Sequence, residues 1–480
     1  MSFIINNEYR FSFLGINIFK YQKSERNFVF RILGINLFKY EIIYDYLKVY
    51  ILGIPFRKRT FFSKIINKVD NQKDFFVKPL DDDIEYITLK YINNLKSKKK
   101  EKYCNKNKIA YLATELYDTG GHTKCLRDLI ASLDGEFSQA LFLTQLTISF
   151  KLGSECLGDI QKHSTIIYGQ NSTFLFLKKN VISLARKIEK FAPRVVFSYI
   201  HPKDIVGASI LAYIHLYTDI KIIFFNHASH FPCLGMSFSD LILEGTITNK
   251  RITEQKRGFN NCYVIGLQSL SKEDTIYYSE KEISLLKKKY CYDDAKYVTM
   301  SGGTAYKFFD REGNSDYFLM IKELLQSESC LKHIIISNFN NKQIQRIKDI
   351  FNNNDCYNRL VFIPLQKKFD IFFQSADVFI DSFPISSALT QIDLMRNKVA
   401  SVVKINKENP EYSFHDYQKN NYEYMFDNVC AMKTAILDLL YDSEKRKKIV
   451  EDNYLYWLNT YEKNVVKLKY LNIINIYSHI

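Results

Sequence analysis

The sequence predicts an α/β protein made of two Rossmann-like domains preceded by a small, basic, β-rich N-terminal extension. Three observations lead there. From residue 108 onward short apolar runs alternate with longer amphipathic ones, which is the pattern of a parallel sheet wrapped by helices. The pattern pauses near residues 268–295 and restarts, so the 480 residues divide into lengths suited to two doubly wound domains. Ahead of both, Gly15, Gly34 and Gly53 recur at a spacing of 19 among aromatic and branched residues. The expected organisation is an extension and linker over 1–107, a first Rossmann-like domain over 108–270, a second over 271–460 and a C-terminal tail over 461–480.

In the extension, residues 13–20 read FLGINIFK, 32–39 read ILGINLFK and 51–58 read ILGIPFRK. Each unit implies a strand, a turn or bulge at the glycine, and a second strand. The charge is concentrated in the same region. Residues 1–108 hold 22 Lys and Arg against 11 Asp and Glu, leaving 45 against 41 for the other 372 residues of a chain whose net charge is +15. Two uses fit a basic, aromatic, repeated segment. One is an extension packed on the main body; the other is docking of residues 1–60 on an anionic membrane or a polyanionic glycan, where attraction is roughly 1 kcal/mol per Lys or Arg. Nucleic acid is not an expected partner, because no recognised fingerprint accompanies the charge. Further on, Asp81, Asp82 and Asp83 read as a solvated turn rather than metal ligands, and the Lys-rich run over 95–108 as a solvated linker or helix end.

Composition narrows the function classes. With 46% hydrophobic and 25% charged residues the chain is globular, neither disordered nor fibrous. Its nine cysteines include no C-x-x-C pair and are odd in number, which argues against a zinc site and a secreted disulfide framework. No charged leader with an apolar core opens the sequence, and no run nears the roughly 18–20 apolar residues of a spanning helix. The expected location is cytoplasmic, peripheral on the inner membrane face if the extension docks there.

Strands are expected at Ile109–Ala113, Ala140–Leu143, Thr165–Tyr168, Val195–Tyr199, Ile222–Asn226 and Leu241–Leu243, with helices near 122–133, 175–191 and 203–216. The second set is Val298–Ser301, His333–Ser337, Val361–Pro364, Val378–Asp381 and Ala400–Val403. Ligands of such domains bind outside the carboxyl ends of the strands, so three loops there carry the functional argument. The first, TELYDTGGHTKCLRDL (114–129), places Gly120 and Gly121 before a helix start, where the backbone can approach a ligand closely. The second, NHASHFPCLGMSFSD (226–240), places Asn226, His227 and His230 at a strand end, suited to hydrogen bonding a polar ligand; with no third ligand nearby a metal is not expected. The third lies in ADVFIDSFPISSALTQIDLMRNKVASVV (376–403), where Ser386, Ser387 and Thr390 stand at a helix start. There amides, hydroxyls and the helix dipole can hold a diphosphate without metal, and Asp393 one turn on can accept from ribose hydroxyls; plain capping by Ser386 is the alternative.

These residues resemble nucleotide-sugar glycosyltransferases of the GT-B fold, two facing Rossmann-like domains, as found in bacterial surface-polysaccharide loci. The third segment is similar to the donor motif of the family containing O-linked N-acetylglucosamine transferase, matched by Asp381, Phe383, Pro384, Thr390 and Asp393. It departs at Ser386-Ser387-Ala388-Leu389, where Gly-rich or His-Thr residues are usual, and at Asn397-Lys398-Val399, where the family has Gly-x-Pro. The loop SGGTAYKFF (301–309) resembles the family's first donor loop, so the resemblance implies that Lys307, carried by Gly302 and Gly303, contacts the donor diphosphate. GGHTK and NHASHFPCLG look like first-domain segments of the surface-polysaccharide enzymes.

The resemblance implies transfer of a sugar, UDP-linked by analogy, from the second domain to a hydroxyl of a bacterial cell-surface glycan or glycolipid held by the first, with no cofactor beyond the donor. For an inverting displacement His122 is the expected general base with Asp118 orienting it, and His227 and His230 are rivals. Retention would need no such base. The competing class is a catalytically silent subunit of the same fold that binds sugar or a partner transferase.

Overall fold

The computed structural model describes the backbone of seven strands within residues 2–58, and residues 104–477 apart from 118–120, 145–153, 169–176, 203, 228–232, 268, 311, 353, 367–368, 409, 414 and 420–421. The Asp81–Asp83 knot and residues 95–103 of the Lys-rich run lie outside these. The chain forms two compact units, the first from residues 1–243, 252–263 and 474–480, the second from 244–251 and 264–473.

Strands β1 (Ser2–Ile5), β2 (Glu8–Phe13), β3 (Ile16–Lys23), β4 (Asn27–Ile32), β5 (Ile35–Ile43), β6 (Tyr46–Ile51) and β7 (Ile54–Lys58) pair in sequence order as an antiparallel meander. The repeat is therefore one hairpin and its return. Its equivalent strand-end pairs are Phe13–Ile16, Ile32–Ile35 and Ile51–Ile54, flanking glycines that themselves lie outside the described residues. Register sorts the residues by face, because successive strand residues alternate sides. Arg10, Lys20 and Arg31 fall in one cross-strand row, and the same face holds Lys39, Lys48 and Arg57. The opposite face holds the row Tyr9, Tyr21, Phe30, Phe38, Ile51 and Ile54.

The first unit's second sheet contains β8 (Asn105–Ala113), β9 (Ser138–Leu143), β10 (Thr165–Tyr168), β11 (Pro193–Tyr199), β12 (Lys221–Phe225), β13 (Leu241–Glu244) and β14 (Cys262–Val264), in the order β10-β9-β8-β11-β12-β13-β14. The β8–β9, β9–β10, β8–β11, β11–β12 and β12–β13 pairs are parallel. Ile109 to Ala113 are wholly buried, which is why the central strand reads as an unbroken apolar run. Helices α1 (Gly121–Ser132), α2 (Ser154–His163), α3 (Leu177–Phe191) and α4 (Ile205–Tyr217) connect the strands. Chain order reverses between β8 and β11, so the loops after these strands form a topological switch point.

The second unit repeats the plan. Strands β15 (Tyr297–Gly302), β16 (Leu331–Ile336), β17 (Leu360–Ile363), β18 (Val378–Ile380), β19 (Ala400–Lys404) and β20 (Met425–Phe426) lie in the order β17-β16-β15-β18-β19-β20, all parallel, with the switch between β15 and β18. Every strand expected from sequence is present; β20, two residues long, offers too little periodicity to be read. The stretch over 268–295, expected as a connection, carries α5 (Glu280–Lys289), started by a capping box in which Ser279 and Glu282 each accept from the other's backbone. Further helices are α6 (Asp316–Ser327), α7 (Asn341–Phe351), α8 (Ala388–Arg396), α9 (Val429–Tyr441) and α10 (Ser443–Thr460). The expected C-terminal tail carries a helix, α11 (Lys463–Ile476), whose Val466, Tyr470, Ile473 and Ile474 recur at helical spacing and are buried. Among the described residues no helix is long and apolar enough to cross a membrane.

Candidate functional site

In the second unit the site is built where β15 and β18 end. Strand β15 ends at Gly302, and a Cβ there would stand 3.2 Å from the Phe369 ring. A Cβ on Gly303 would meet Lys307 Cδ at 3.4 Å and Ser387 Oγ at 3.8 Å, ordinary contact distances, which shows how closely the lysine packs on this loop and the neighbouring turn. Lys307 sits in a short 3-10 turn, Ala305–Phe308, and its Nζ donates to the Ser386 carbonyl at 3.0 Å and to Ser387 Oγ at 3.4 Å. Burial lowers its pKa, against the pull of Asp381.

Asp381 follows β18 and is wholly buried. It accepts from the Ser382 amide at 2.9 Å, the Ser387 amide at 3.1 Å and the Ser386 hydroxyl. Burial pushes its pKa up to about 6, with the Ser386 hydrogen bond and Lys307 opposing. Ser386 therefore does not cap α8; its hydroxyl is committed to Asp381, and Ser387 at the N-cap makes no side-chain cap. The result is a helix start without a side-chain cap beside a cation, with Thr390 half-buried in its first turn. Asp393 follows by one turn on the same helix. Its carboxylate lies 3.4 Å from the guanidinium of buried Arg396, which also donates to Asp370 at 2.6 Å.

In the first unit the corresponding ends are those of β8, β11 and β12. Gly121 opens α1, and His122 follows with its Nε2 2.7 Å from the Tyr199 carbonyl at the end of β11. A carbonyl only accepts, so Nε2 carries the hydrogen and Nδ1 the lone pair. Burial lowers the ring's pKa to about 4, outweighing that hydrogen bond. The His227 ring lies tilted against the His122 ring with centroids 4.1 Å apart, and Tyr199 stacks on Phe225 at 4.9 Å. Asn226 is buried; its amide donates to the Leu243 carbonyl at 2.9 Å and its Oδ1 lies 3.6 Å from Cys233 Sγ. Asp118, Gly120 and His230 lie outside the described residues. Among those described, no three His, Cys, Asp or Glu group as metal ligands.

Two sets of residues escape sequence reasoning. Asp204, wholly buried, caps α4 through the Gly207 amide at 2.8 Å and accepts from Thr114 Oγ1 at 2.6 Å and Thr144 Oγ1 at 2.5 Å, tying together the loops after β8, β9 and β11. Its position just ahead of an apolar run is an N-cap signal that was available. The other set, centred on Tyr317 and His333, joins residues 16 to 79 positions apart and leaves no local pattern.

Two Rossmann-like units with this strand order constitute the GT-B class of fold. Solved structures share it. The chain superposes on a glycosyltransferase from Rickettsia africae with a TM-score of 0.60 at 13% identity, covering 79% of this chain and 99% of that one. HepE from Anabaena, solved in complex with UDP and glucose, gives 0.59 at 13% identity over 76% of this chain and 99% of that one. The lipopolysaccharide outer core galactosyltransferase WaaB gives 0.54 at 14% identity over 78% and 100%. No family model and no curated protein matches the sequence.

Proposed function

We propose that the protein is a glycosyltransferase that moves a hexosyl unit from a UDP-sugar to a hydroxyl acceptor in a bacterial cell-surface glycan or glycolipid. The observation that carries this reading is Lys307 Nζ folded against Ser386 and Ser387 at the uncapped start of α8. A lysine ammonium and free helix-terminal amides are what a departing nucleoside diphosphate needs, because negative charge develops on its bridging oxygen. HepE binds UDP on the same fold, which supports assigning the diphosphate to these groups.

In the proposed step the acceptor oxygen forms a bond to the anomeric carbon as the bond to the diphosphate breaks, and the nucleoside diphosphate leaves with the electron pair. The acceptor proton passes to Nδ1 of His122, which is neutral above about pH 5 and can take it. Lys307, the α8 amides and Thr390 stabilise the leaving group without metal, and Asp393 holds the ribose. Gly121, Asn226 and His227 shape the acceptor side. Residues 1–60 hold the enzyme on an anionic membrane face, supported by the Arg10–Lys20–Arg31 row.

The test is incubation of the purified protein with a panel of nucleotide sugars. Release of nucleoside diphosphate with one UDP-sugar is expected, lost in His122→Ala. No hydrolysis, no transfer and no thermal shift with any nucleoside diphosphate would sink the enzyme reading in favour of a silent subunit.

A further inference from the structure

Beneath the donor loops runs a buried chain of polar side chains with no water-facing member. Ser301 Oγ donates to the Ile380 carbonyl at 2.6 Å, and Tyr317 OH donates to Ser301 Oγ at 2.5 Å. Tyr317 OH lies 2.9 Å from His333 Nε2, and Thr299 Oγ1 lies 2.9 Å from His333 Nδ1. The direction of the whole chain follows. Since the tyrosine's hydrogen is given to Ser301, it must accept from His333 Nε2–H, which leaves Nδ1 to accept from Thr299. One run of donors thus passes from Thr299 through His333, Tyr317 and Ser301 to Ile380, the residue before Asp381. All four side chains are wholly buried. Burial drives the imidazole's pKa down to about 3, so it stays neutral and keeps this direction.

The tyrosine ring makes a second link. It meets Phe308, the neighbour of Lys307, edge-on at 4.8 Å, and Phe383 in the serine turn edge-on at 5.3 Å. Ser315 Oγ, one helical step before α6, donates to the Phe308 carbonyl at 2.6 Å. Both loops that bring Lys307 to Ser386 are therefore referenced to one side chain. A buried polar chain stabilises little against apolar residues of the same shape, but when fully satisfied it specifies one arrangement.

We propose that Tyr317 and His333 are positioning residues of the donor site, setting the separation between the Lys307 loop and the Asp381 turn and thereby the affinity for a nucleoside diphosphate. This rests on the donor reading above. Neither residue touches the donor; each acts through Ser301, Phe308 and Phe383.

The experiment is titration calorimetry of UDP against the full chain, beside thermal melts. Tyr317→Phe keeps the ring contacts and removes the hydroxyl, and is expected to weaken UDP binding about tenfold, the size of effect a small misplacement of binding groups produces. Ser301→Ala, next to Ile380, should weaken it at least as much, and Thr299→Val, at the far end, less. The control is Ile347→Ala, a buried residue of the same core on α7, chosen for a comparable loss of melting temperature. Equal UDP affinity in Tyr317→Phe, Ser301→Ala and this control would overturn the proposal, as would a loss that tracks melting temperature alone. Absence of UDP binding in the wild-type chain would instead remove the donor reading on which it rests.

Discussion

A histidine whose Nε2 lies 2.7 Å from a carbonyl has only one neutral tautomer open to it, and His122 is held that way by Tyr199. The pH dependence follows. A base must be neutral, and burial has moved this ring from 6.5 to about 4, so kcat/KM should stay level from pH 8 to about 5 and fall tenfold per unit below about 4. A limb near 6.5 in the pH–rate profile would assign the base to another group. The same shift bears on stability with a definite sign. Between about 6.5 and 4 the unfolded chain binds a proton that folded His122 refuses, and His333, lowered to about 3, behaves alike. Asp381 opposes them, since its raised pKa makes the folded state take a proton below about 6. Asp204, whose pKa burial also raises, opposes them too, so the histidine contribution is read by difference: in denaturant melts the change in stability from pH 7 to 5 should be more favourable in His122→Gln than in wild type. At Lys307 the effect is catalytic: Lys307→Met should lower turnover on the order of a hundredfold, measured with saturating donor. His122 and Lys307 were legible as residue types in glycine-marked loops. Their partners were not, because Tyr199 lies 77 positions and Ser386 79 positions away.

The strands were the most readable elements, because burial on both faces makes Ile109–Ala113 and Val378–Ile380 short unbroken apolar runs. What sequence hides is the clamp at the end of the fourth strand in each sheet. Asp204, the N-cap of α4 after β11, and Asp381, directly after β18, each spend a buried carboxylate on amides and hydroxyls: Asp204 on the Gly207 amide and the Thr114 and Thr144 hydroxyls, Asp381 on the Ser382 and Ser387 amides and the Ser386 hydroxyl. The N-cap place of Asp204 shows in the sequence, but its Thr114 and Thr144 partners lie 90 and 60 positions away in two other loops, so no single window displays that set. Asp204→Ala would leave the Thr114 and Thr144 hydroxyls and the Gly207 amide without their acceptor. Chemical denaturation should show a loss of about 2–4 kcal/mol, with Asp204→Asn, whose amide oxygen still accepts, losing less. An alanine variant as stable as wild type would mean that water replaces the carboxylate there.

For the whole molecule, the charge division seen in the sequence acquires geometry only from strand register. A count of basic residues over 1–108 cannot tell a scattered surface from a face, whereas pairing places Arg10, Lys20 and Arg31 side by side and puts Lys39, Lys48 and Arg57 on the same side of the sheet. Lys23 and Lys58 fall on the other side, with the aromatic rows. That separation makes the membrane reading sharp enough to fail. At roughly 1 kcal/mol per cation near an anionic surface, the three-residue row contributes about 3 kcal/mol, or about two orders of magnitude in partitioning. Arg10→Glu, Lys20→Glu and Arg31→Glu combined should abolish sedimentation with phosphatidylglycerol vesicles while leaving UDP affinity and transfer to a soluble acceptor unchanged. The pair Lys23→Glu and Lys58→Glu carries two of the same charge changes on the opposite face and should cost much less. Binding that is equal on neutral vesicles, or that both variants lose in proportion to charge alone, would show that the row has no special role and that the extension is attracted as a diffuse cation.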